Sequence, residues 1–260
     1  NNDLMLVLIV TKKNPVLNII LAKCYDTYKE IKDIANKNYN DICNLLKLDS
    51  NNIVRPYQTH TNNVKKISGE VGIFPQELKD IDGLITQENN KILSLTFADC
   101  TPIYLYDKQK NIIGNIHSGW QGTIKKIAKH AIIQMKKEFN SNPKDIVCVI
   151  GPTIRKDIIC CICPHIRKCH FEVQEDVKNK FYNTFNYMKN IDKIIEFNKN
   201  TNSYFIDTVE INKELLKEEG ILEANIIDSK ICTYCNSNII HSYRKEGKQA
   251  GRNTALICLK

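Results

Sequence analysis

Short, continuous apolar runs alternate along the chain with longer stretches in which apolar positions recur every three or four residues. Continuous runs bounded by turn residues read as buried strands, and the 3.6-residue spacing reads as one apolar face of a helix. The pattern predicts strands at Leu4 to Val10, Ile53 to Val54, Ile92 to Phe97, Pro102 to Tyr106, Ile112 to Ile116 and Ile146 to Ile150. It predicts helices over Thr27 to Leu46, Thr123 to Phe139, Glu172 to Met188 and Thr208 to Glu219, with Gly220 as the stop of the last one. In Thr123 to Phe139 the stripe is strongest, carried by Ile124, Ile127, Ala128, Ala131, Ile132 and Met135. Mixed order and the absence of a linker rich in Pro, Gly or Ser argue for a mixed α/β fold, with mixed sheets flanked by helices in a single compact domain over residues 1–260.

One segment breaks the pattern. Lys144-Asp-Ile-Val-Cys-Val-Ile-Gly-Pro-Thr-Ile-Arg-Lys156 recurs twelve positions later as Lys156-Asp-Ile-Ile-Cys-Cys-Ile-Cys-Pro-His-Ile-Arg-Lys168. This tandem duplication at 144–168 has too short a period and too few copies for a solenoid repeat, so it reads as a local insertion. Only one copy can occupy the strand and turn that the pattern predicts. The other must bulge out or add an edge hairpin.

Composition narrows the class. With 260 residues and 42% hydrophobic content the chain can build a sizeable core. Its net charge of +8 comes mostly from dispersed lysines, the usual mark of a solvated face. No nucleic acid is therefore expected as a partner, and a small anion such as phosphate suits the charge equally well. No apolar run approaches the ~20 residues of a membrane helix. Leu4-Met-Leu-Val-Leu-Ile-Val10 lacks the basic flank and cleavage site of a secretion signal. The odd count of eleven cysteines then points to reduced thiols and a cytoplasmic location. The first residue is Asn rather than Met, as expected of a fragment or a processed start.

Three residues stand out as candidate chemistry: His60 in Arg55-Pro-Tyr-Gln-Thr-His60, Cys100 in Ala98-Asp-Cys100-Thr-Pro, and His117 in Gly114-Asn-Ile-His117-Ser-Gly-Trp-Gln-Gly-Thr123. A thiolate and two imidazoles form a soft donor set suited to zinc, and three protein ligands leave a position open for water or substrate. Taken singly, His60 reads as a surface histidine and Cys100 as a buried structural cysteine. The glycine-marked stretch after His117, with Ser118 and with Thr123 as a helix cap, also makes an anion site through free amides at a helix start. Arg244 and Arg252, around a glycine turn, could grip a phosphate or carboxylate or could simply be solvated. Cys232-Thr-Tyr-Cys235 is a zinc half-site or a redox pair, for which Cys160-Cys161-x-Cys163 does not supply a second pair of matching spacing. No general base can be assigned; Asp99 is the carboxylate nearest in sequence and could instead orient a ligand.

The segments Gln58-Thr-His60, Asp82-Gly-Leu-Ile-Thr86, Ala98-Asp-Cys100-Thr-Pro-Ile, Gly114-Asn-Ile-His117-Ser-Gly-Trp-Gln-Gly-Thr123, Cys232-Thr-Tyr-Cys235 and His241-Ser-Tyr-Arg244-Lys-Glu-Gly247 closely resemble the bacterial laccase-domain or polyphenol oxidase family. They appear in that family's order over about residues 38 to 260. The resemblance implies a zinc-dependent enzyme of purine nucleosides and inorganic phosphate. It would phosphorolyse adenosine, inosine, guanosine and methylthioadenosine, and deaminate adenosine. The family's His, Cys and His ligands fall on His60, Cys100 and His117, which makes these the expected metal and catalytic residues. Arg244, Arg252, Ser118 and Thr123 are the expected contacts to substrate or phosphate.

Two departures accompany the match. The family's N-terminal arginine and Gly-Gly turn have no counterpart, because no glycine precedes Gly69 and no arginine precedes Arg55. The family's Gly-Pro-x-Ile-x-x-Cys-x-x-Glu-Val segment is split by the duplication, between Gly151-Pro-Thr-Ile154 and Cys169-His-Phe-Glu-Val173. Two rival classes follow. One is a cysteine or zinc hydrolase of amide bonds in cell-wall precursors, with Cys100 as nucleophile and His117 or His60 as base. The other is a decayed, non-catalytic member. The older multicopper reading fits poorly, since such oxidases bind copper largely through His-x-His pairs and none of the six histidines here is so paired.

Overall fold

Residues 6–9, 37, 39–44, 46–71, 75–155 and 170–259 are described by a computed structural model. The strongest apolar runs pair as an antiparallel set at its centre. β6 (Thr101–Asp107) lies between β7 (Ile112–Ser118) and β8 (Ile146–Ile150), antiparallel to both. β4 (Gly83–Thr86), β3 (Val64–Lys66) and β12 (Ile226–Asp228) complete a six-stranded mixed sheet in the order β12-β8-β6-β7-β4-β3. A second, four-stranded sheet runs β1-β13-β5-β2, from β1 (Leu6–Ile9), β13 (Asn253–Cys258), β5 (Ile92–Phe97) and β2 (Ile53–Val54).

The sheets stack, and alternation along each strand decides which layer a side chain enters. Ile103, Leu105, Ile112 and Ile116 point toward a helical layer formed largely by the helices Ile127–Phe139, Glu175–Phe185 and Thr208–Glu218. Tyr104 and Ile113, one step over, pack with Leu93, Leu95, Ala255 and Ile257 of the other sheet. Because the central strands are covered on both faces, they read in sequence as unbroken apolar runs. The outer face of the four-stranded sheet is closed by Tyr39, Ile42 and Cys43 of the helical stretch 39–44, packed on Ile53, Ile92, Leu256 and Cys258. One polar group locks the two sheets: Asn115 Nδ2 donates to Leu93 O and Ala255 O, both at 2.9 Å.

The mixed fold, its flanked sheets and all six sequence-predicted strands are present, along with the stop at Gly220, whose φ is +96°. The early part of the helix expected over Thr27 to Leu46 lies outside the described residues. Two helices differ from expectation. The stripe over Thr123 to Phe139 belongs to two helices, Trp120–Ile124 and Ile127–Phe139, separated at Lys126 with φ +60°. The chain turns there because Lys125 is engaged from across the site, its Nζ donating to His60 O at 2.7 Å and its carbonyl accepting from Asn62 Nδ2. Glu172 and Val173 form strand β9 rather than a first helical turn, since β11 (Ser203–Ile206) offers a free edge, itself paired with β10 (Ile195–Asn198). These strands, with β3, β4, β12 and β13, are additional to the predicted set.

The first copy of the repeat supplies β8 and the following Gly151 to Arg155, and the second lies outside the described residues. Phe171 N donates to Arg155 O at 3.2 Å, so the chain departs and returns at one point. Fifteen residues, 156–170, span that join; deleting 157–168 would leave three, Lys156, Cys169 and His170, enough for a single turn. We expect the deletion to stabilise the protein by about 1.4 kcal/mol from the shorter loop alone. Thermal unfolding, read by circular dichroism, should show a rise of roughly 3–5 °C. A lower midpoint than the parent's would identify the second copy as an integrated part of the fold.

Candidate metal centre and its cleft

A buried carboxylate organises the site. Asp82 precedes β4, is fully buried, and accepts hydrogen bonds from five groups. Its Oδ1 takes His117 Nδ1 at 2.8 Å and His60 N at 3.1 Å; its Oδ2 takes Thr59 N at 3.2 Å, Thr61 N at 2.7 Å and the Thr61 hydroxyl at 2.9 Å. Burial alone would raise its pKa, but the bonds from His117 and Thr61 hold it below the usual value. These contacts also keep His60 in the left-handed region, at φ +62°. With Nδ1 of His117 committed to Asp82, its Nε2 is left to face Cys100 and His60, the tautomer a metal ligand requires.

Antiparallel pairing places the second donor. Pro102 of β6 sits opposite His117 of β7, so Cys100, just before β6, lands beside the end of β7. The preceding Asp99 has φ +82° and is held by four donors. Its carbonyl accepts from the Thr153 hydroxyl at 2.7 Å and from Ile154 N at 3.0 Å, while its carboxylate accepts from Arg244 N at 2.6 Å and the Thr233 hydroxyl at 2.5 Å. Asp82 is thus the carboxylate that orients the His117 ring, and Asp99 shapes the turn that presents Cys100. Sequence proximity pointed to Asp99 because the sheet neighbours of His117 are remote along the chain.

The donor atoms of His60, Cys100 and His117 all lie within 4.8 Å of one another, with Cys100 Sγ 3.7 Å from His60 Nε2. The imidazoles meet edge to face at 5.0 Å between centroids. A tetrahedral zinc with ordinary Zn–S and Zn–N bonds separates sulfur and nitrogen by about 3.6 Å. The three donors, their spacing and the fixed His117 tautomer therefore suit such an ion. Gly119 makes the approach possible: a Cβ there would fall 2.6 Å from His60 Cδ2 and 3.0 Å from Cys100 Sγ. Between the donors themselves, the imidazoles favour the Cys100 thiolate and the thiolate favours the His117 cation. Burial opposes ionisation of Cys100, but His117 and His60 outweigh it and bring the thiol down to about 6; burial likewise opposes the His117 cation, which Cys100 and Asp82 push up to about 9.

The triad lies in the wall of a cleft of about 650 Å³. Gln58, Thr96 and Phe97 line one part of it, and Trp120, Phe171 and Tyr243 bring aromatic surface. The Gln58 amide is fixed against β5, donating to Thr96 O at 2.9 Å and accepting from Thr96 N at 2.8 Å. Arg244 and Arg252 also line the cleft and are exposed. Arg244 Nη1 donates to His170 O and Glu172 O, with its guanidinium over Phe171; Arg252 Nη1 donates to Ala250 O and Gly251 O, over Tyr243. Ser118 reaches the cleft wall, its hydroxyl donating to Asn212 Oδ1 at 3.0 Å and lying 2.9 Å from that of Thr123. Thr123 is fully buried inside the helix Trp120–Ile124, donates to Gly119 O at 3.0 Å, and is not its cap, a position taken by Gly119. The aromatic wall had no local sequence signal, since Trp120, Phe171 and Tyr243 come from three separate segments.

In metal-stripped protein, alkylation of Cys100 followed by peptide mass spectrometry should rise with pH through about 6 rather than near 9. Asp82→Asn, which withdraws charge from His117, should move that midpoint upward. A parent midpoint in the ordinary thiol range would show that the thiolate is not stabilised by the imidazoles.

The comparisons with known proteins agree with this architecture. The family model described as multi-copper polyphenol oxidoreductase laccase matches residues 21–157 and 155–260, two segments that meet inside the repeat. Purine nucleoside phosphorylase YlmD of Bacillus subtilis is 28% identical over 238 residues, 89% of this chain and 79% of that protein. A purine nucleoside phosphorylase of Clostridium acetobutylicum is 33% identical over 204 residues, 78% of this chain and 75% of that protein. The crystal structure of Bacillus licheniformis hypothetical protein YfiH superposes with a TM-score of 0.82 at 28% identity, covering 98% of this chain and 93% of that one. With both segments matched by one family model and the fold shared along nearly the whole chain, the chain belongs to the multi-copper polyphenol oxidoreductase laccase family.

Proposed function

We propose that the chain is a zinc-dependent purine nucleoside phosphorylase that also deaminates adenosine. The observation that carries the reading is the three-donor His60, Cys100 and His117 set opening into a cleft with aromatic walls and two arginines. Its volume falls in the range of about 300–1,000 Å³ usual for small-molecule sites. The names of the relatives from B. subtilis and C. acetobutylicum support the substrate class.

In this reading the purine lies against Trp120, Phe171 and Tyr243, whose faces suit a flat heterocycle. Arg244 and Arg252 offset phosphate charge, their side chains pre-ordered by backbone carbonyls so that little rotamer freedom is lost on binding. A bound zinc ion would supply Lewis acidity at its open position, where the pKa of water falls toward about 7. Asp82 keeps the His117 ring in one orientation, and Gly119 leaves the Cys100 and His60 donors unobstructed. In phosphorolysis the ribose C1′–N bond breaks with its electrons on the base, and a phosphate oxygen bonds to C1′. The Cys100 thiolate beside His117 separately favours a second reading, a cysteine hydrolase of amide bonds. Trapping of Cys100 by an electrophile in metal-replete protein would favour that reading; protection of the thiol by metal would count against it.

Elemental analysis should show His60→Ala, Cys100→Ala and His117→Ala each losing one zinc equivalent per chain, with zinc and not copper in the parent. Asp82→Asn should weaken zinc affinity by about 10–100-fold, the usual effect of losing a partner that orients a ligand. Full metal content in Cys100→Ala would place the ion elsewhere.

Adenosine should give inosine without phosphate, and adenine plus ribose 1-phosphate with it, while inosine, guanosine and methylthioadenosine should be phosphorolysed. Arg244→Ala should lower phosphorolysis by about 10–100-fold, the loss of a charge-assisted contact of ~1.5–3 kcal/mol, and deamination far less. Equal losses would assign Arg244 to the nucleoside or the fold. Failure with every purine nucleoside, alongside turnover of an amide, would overturn the reading.

A further inference from the structure

A second cluster of soft donors lies away from the cleft triad. Cys232 and Cys235 come together with His170, the three ligand atoms within 4.8 Å of one another and Cys235 Sγ 3.6 Å from His170 Nδ1. That separation matches the about 3.6 Å sulfur–nitrogen edge of tetrahedral zinc. The turn directs both sulfurs to one side, because Asn236 folds back and donates from N and from Nδ2 to Cys232 O, at 3.1 and 2.8 Å. Between the cysteines, Tyr234 stacks on the His170 ring at 3.7 Å and 14°, fixing the plane in which Nδ1 is presented. Two sulfurs and an imidazole whose orientation is set by a neighbouring side chain are the arrangement of a ligand set rather than of a packed core.

We propose that His170, Cys232 and Cys235 form a second metal site, for a thiophilic divalent cation such as zinc, with a structural role in the cleft wall. His170 O accepts from Arg244 Nη1, and Phe171, its neighbour, lines the cleft. Thr233, between the two cysteines, donates to the Asp99 carboxylate and from its N to Thr153 O at 3.1 Å. An ion here ties the chain re-entering after the repeat to the turn that holds Asp99, and so fixes the position of Arg244 and the approach to Cys100. The assignment does not depend on the reaction carried out in the cleft.

The test uses full-length Cys100→Ala/His117→Ala protein, in which the cleft set has lost its thiolate. Stripped of metal and titrated with Co²⁺, it should bind about one equivalent, with a sulfur-to-cobalt charge-transfer band of two-thiolate intensity. Cys232→Ser/Cys235→Ser in the same background should abolish the band. His170→Ala, a milder change that serves if the double serine variant does not fold, should keep the band but release cobalt at lower chelator concentration. Absence of the band in the Cys100→Ala/His117→Ala protein, or its persistence after both cysteines are replaced, overturns the proposal. So does a Cys232–Cys235 disulfide found by mass spectrometry in protein purified under reducing conditions. Zinc loss on Cys100→Ala in otherwise native protein reports the cleft site alone, so failure of one assignment is distinguishable from failure of the other.

Discussion

The Asp82 carboxylate, buried with no solvent contact and surrounded by five donors, is the constraint on which the site rests. An ionised carboxylate in such a place is tolerated only when its oxygens are satisfied, and removing its partners costs several kcal/mol. Its donors come from the Thr59 to Thr61 turn and from β7, so meeting that requirement forces two remote stretches together. The same bonds hold the left-handed backbone at His60 and the ring of His117. Local strain, the orientation of the His117 ring and the join between β4 and β7 thus follow from one group.

The antiparallel sheet does the rest of the positioning. The start of β6 lies beside the end of β7, which places Cys100 next to His117 without a long loop between them. Asn115, two residues before His117 on the same face, bridges to carbonyls of β5 and β13. The strand that carries His117 is therefore fixed to the second sheet as well as within its own. Cys100 and His117, at neighbouring strand ends with the register fixed on both sides, would need little reorganisation to hold an ion.

Central strands were legible in the sequence because burial on both faces leaves unbroken apolar runs, as at β5, β6 and β7. The short strands β9 to β12 were not, because what holds them is pairing to an edge rather than a local pattern. The break at Lys126 was hidden for a different reason: the apolar spacing continues across it, and the cause lies in contacts with His60 and Asn62 from another part of the chain. The three cleft donors could be picked out as residue types in marked segments, and the family resemblance joined them. Their orienting carboxylate could not, since the link from Asp82 to His117 exists only after β4 and β7 pair.

The hydrogen bond from Phe171 N to Arg155 O has a topological consequence. Because the chain leaves the body of the protein at Arg155 and rejoins it at Phe171, the number of residues between these two points is decoupled from the register of every described strand. Yet Phe171, at which the chain rejoins, is part of the cleft wall. Sequence can be gained or lost between Arg155 and Phe171 without altering the strands that carry Cys100 and His117, whereas His170, just before the return, is tied to Arg244 of the cleft wall.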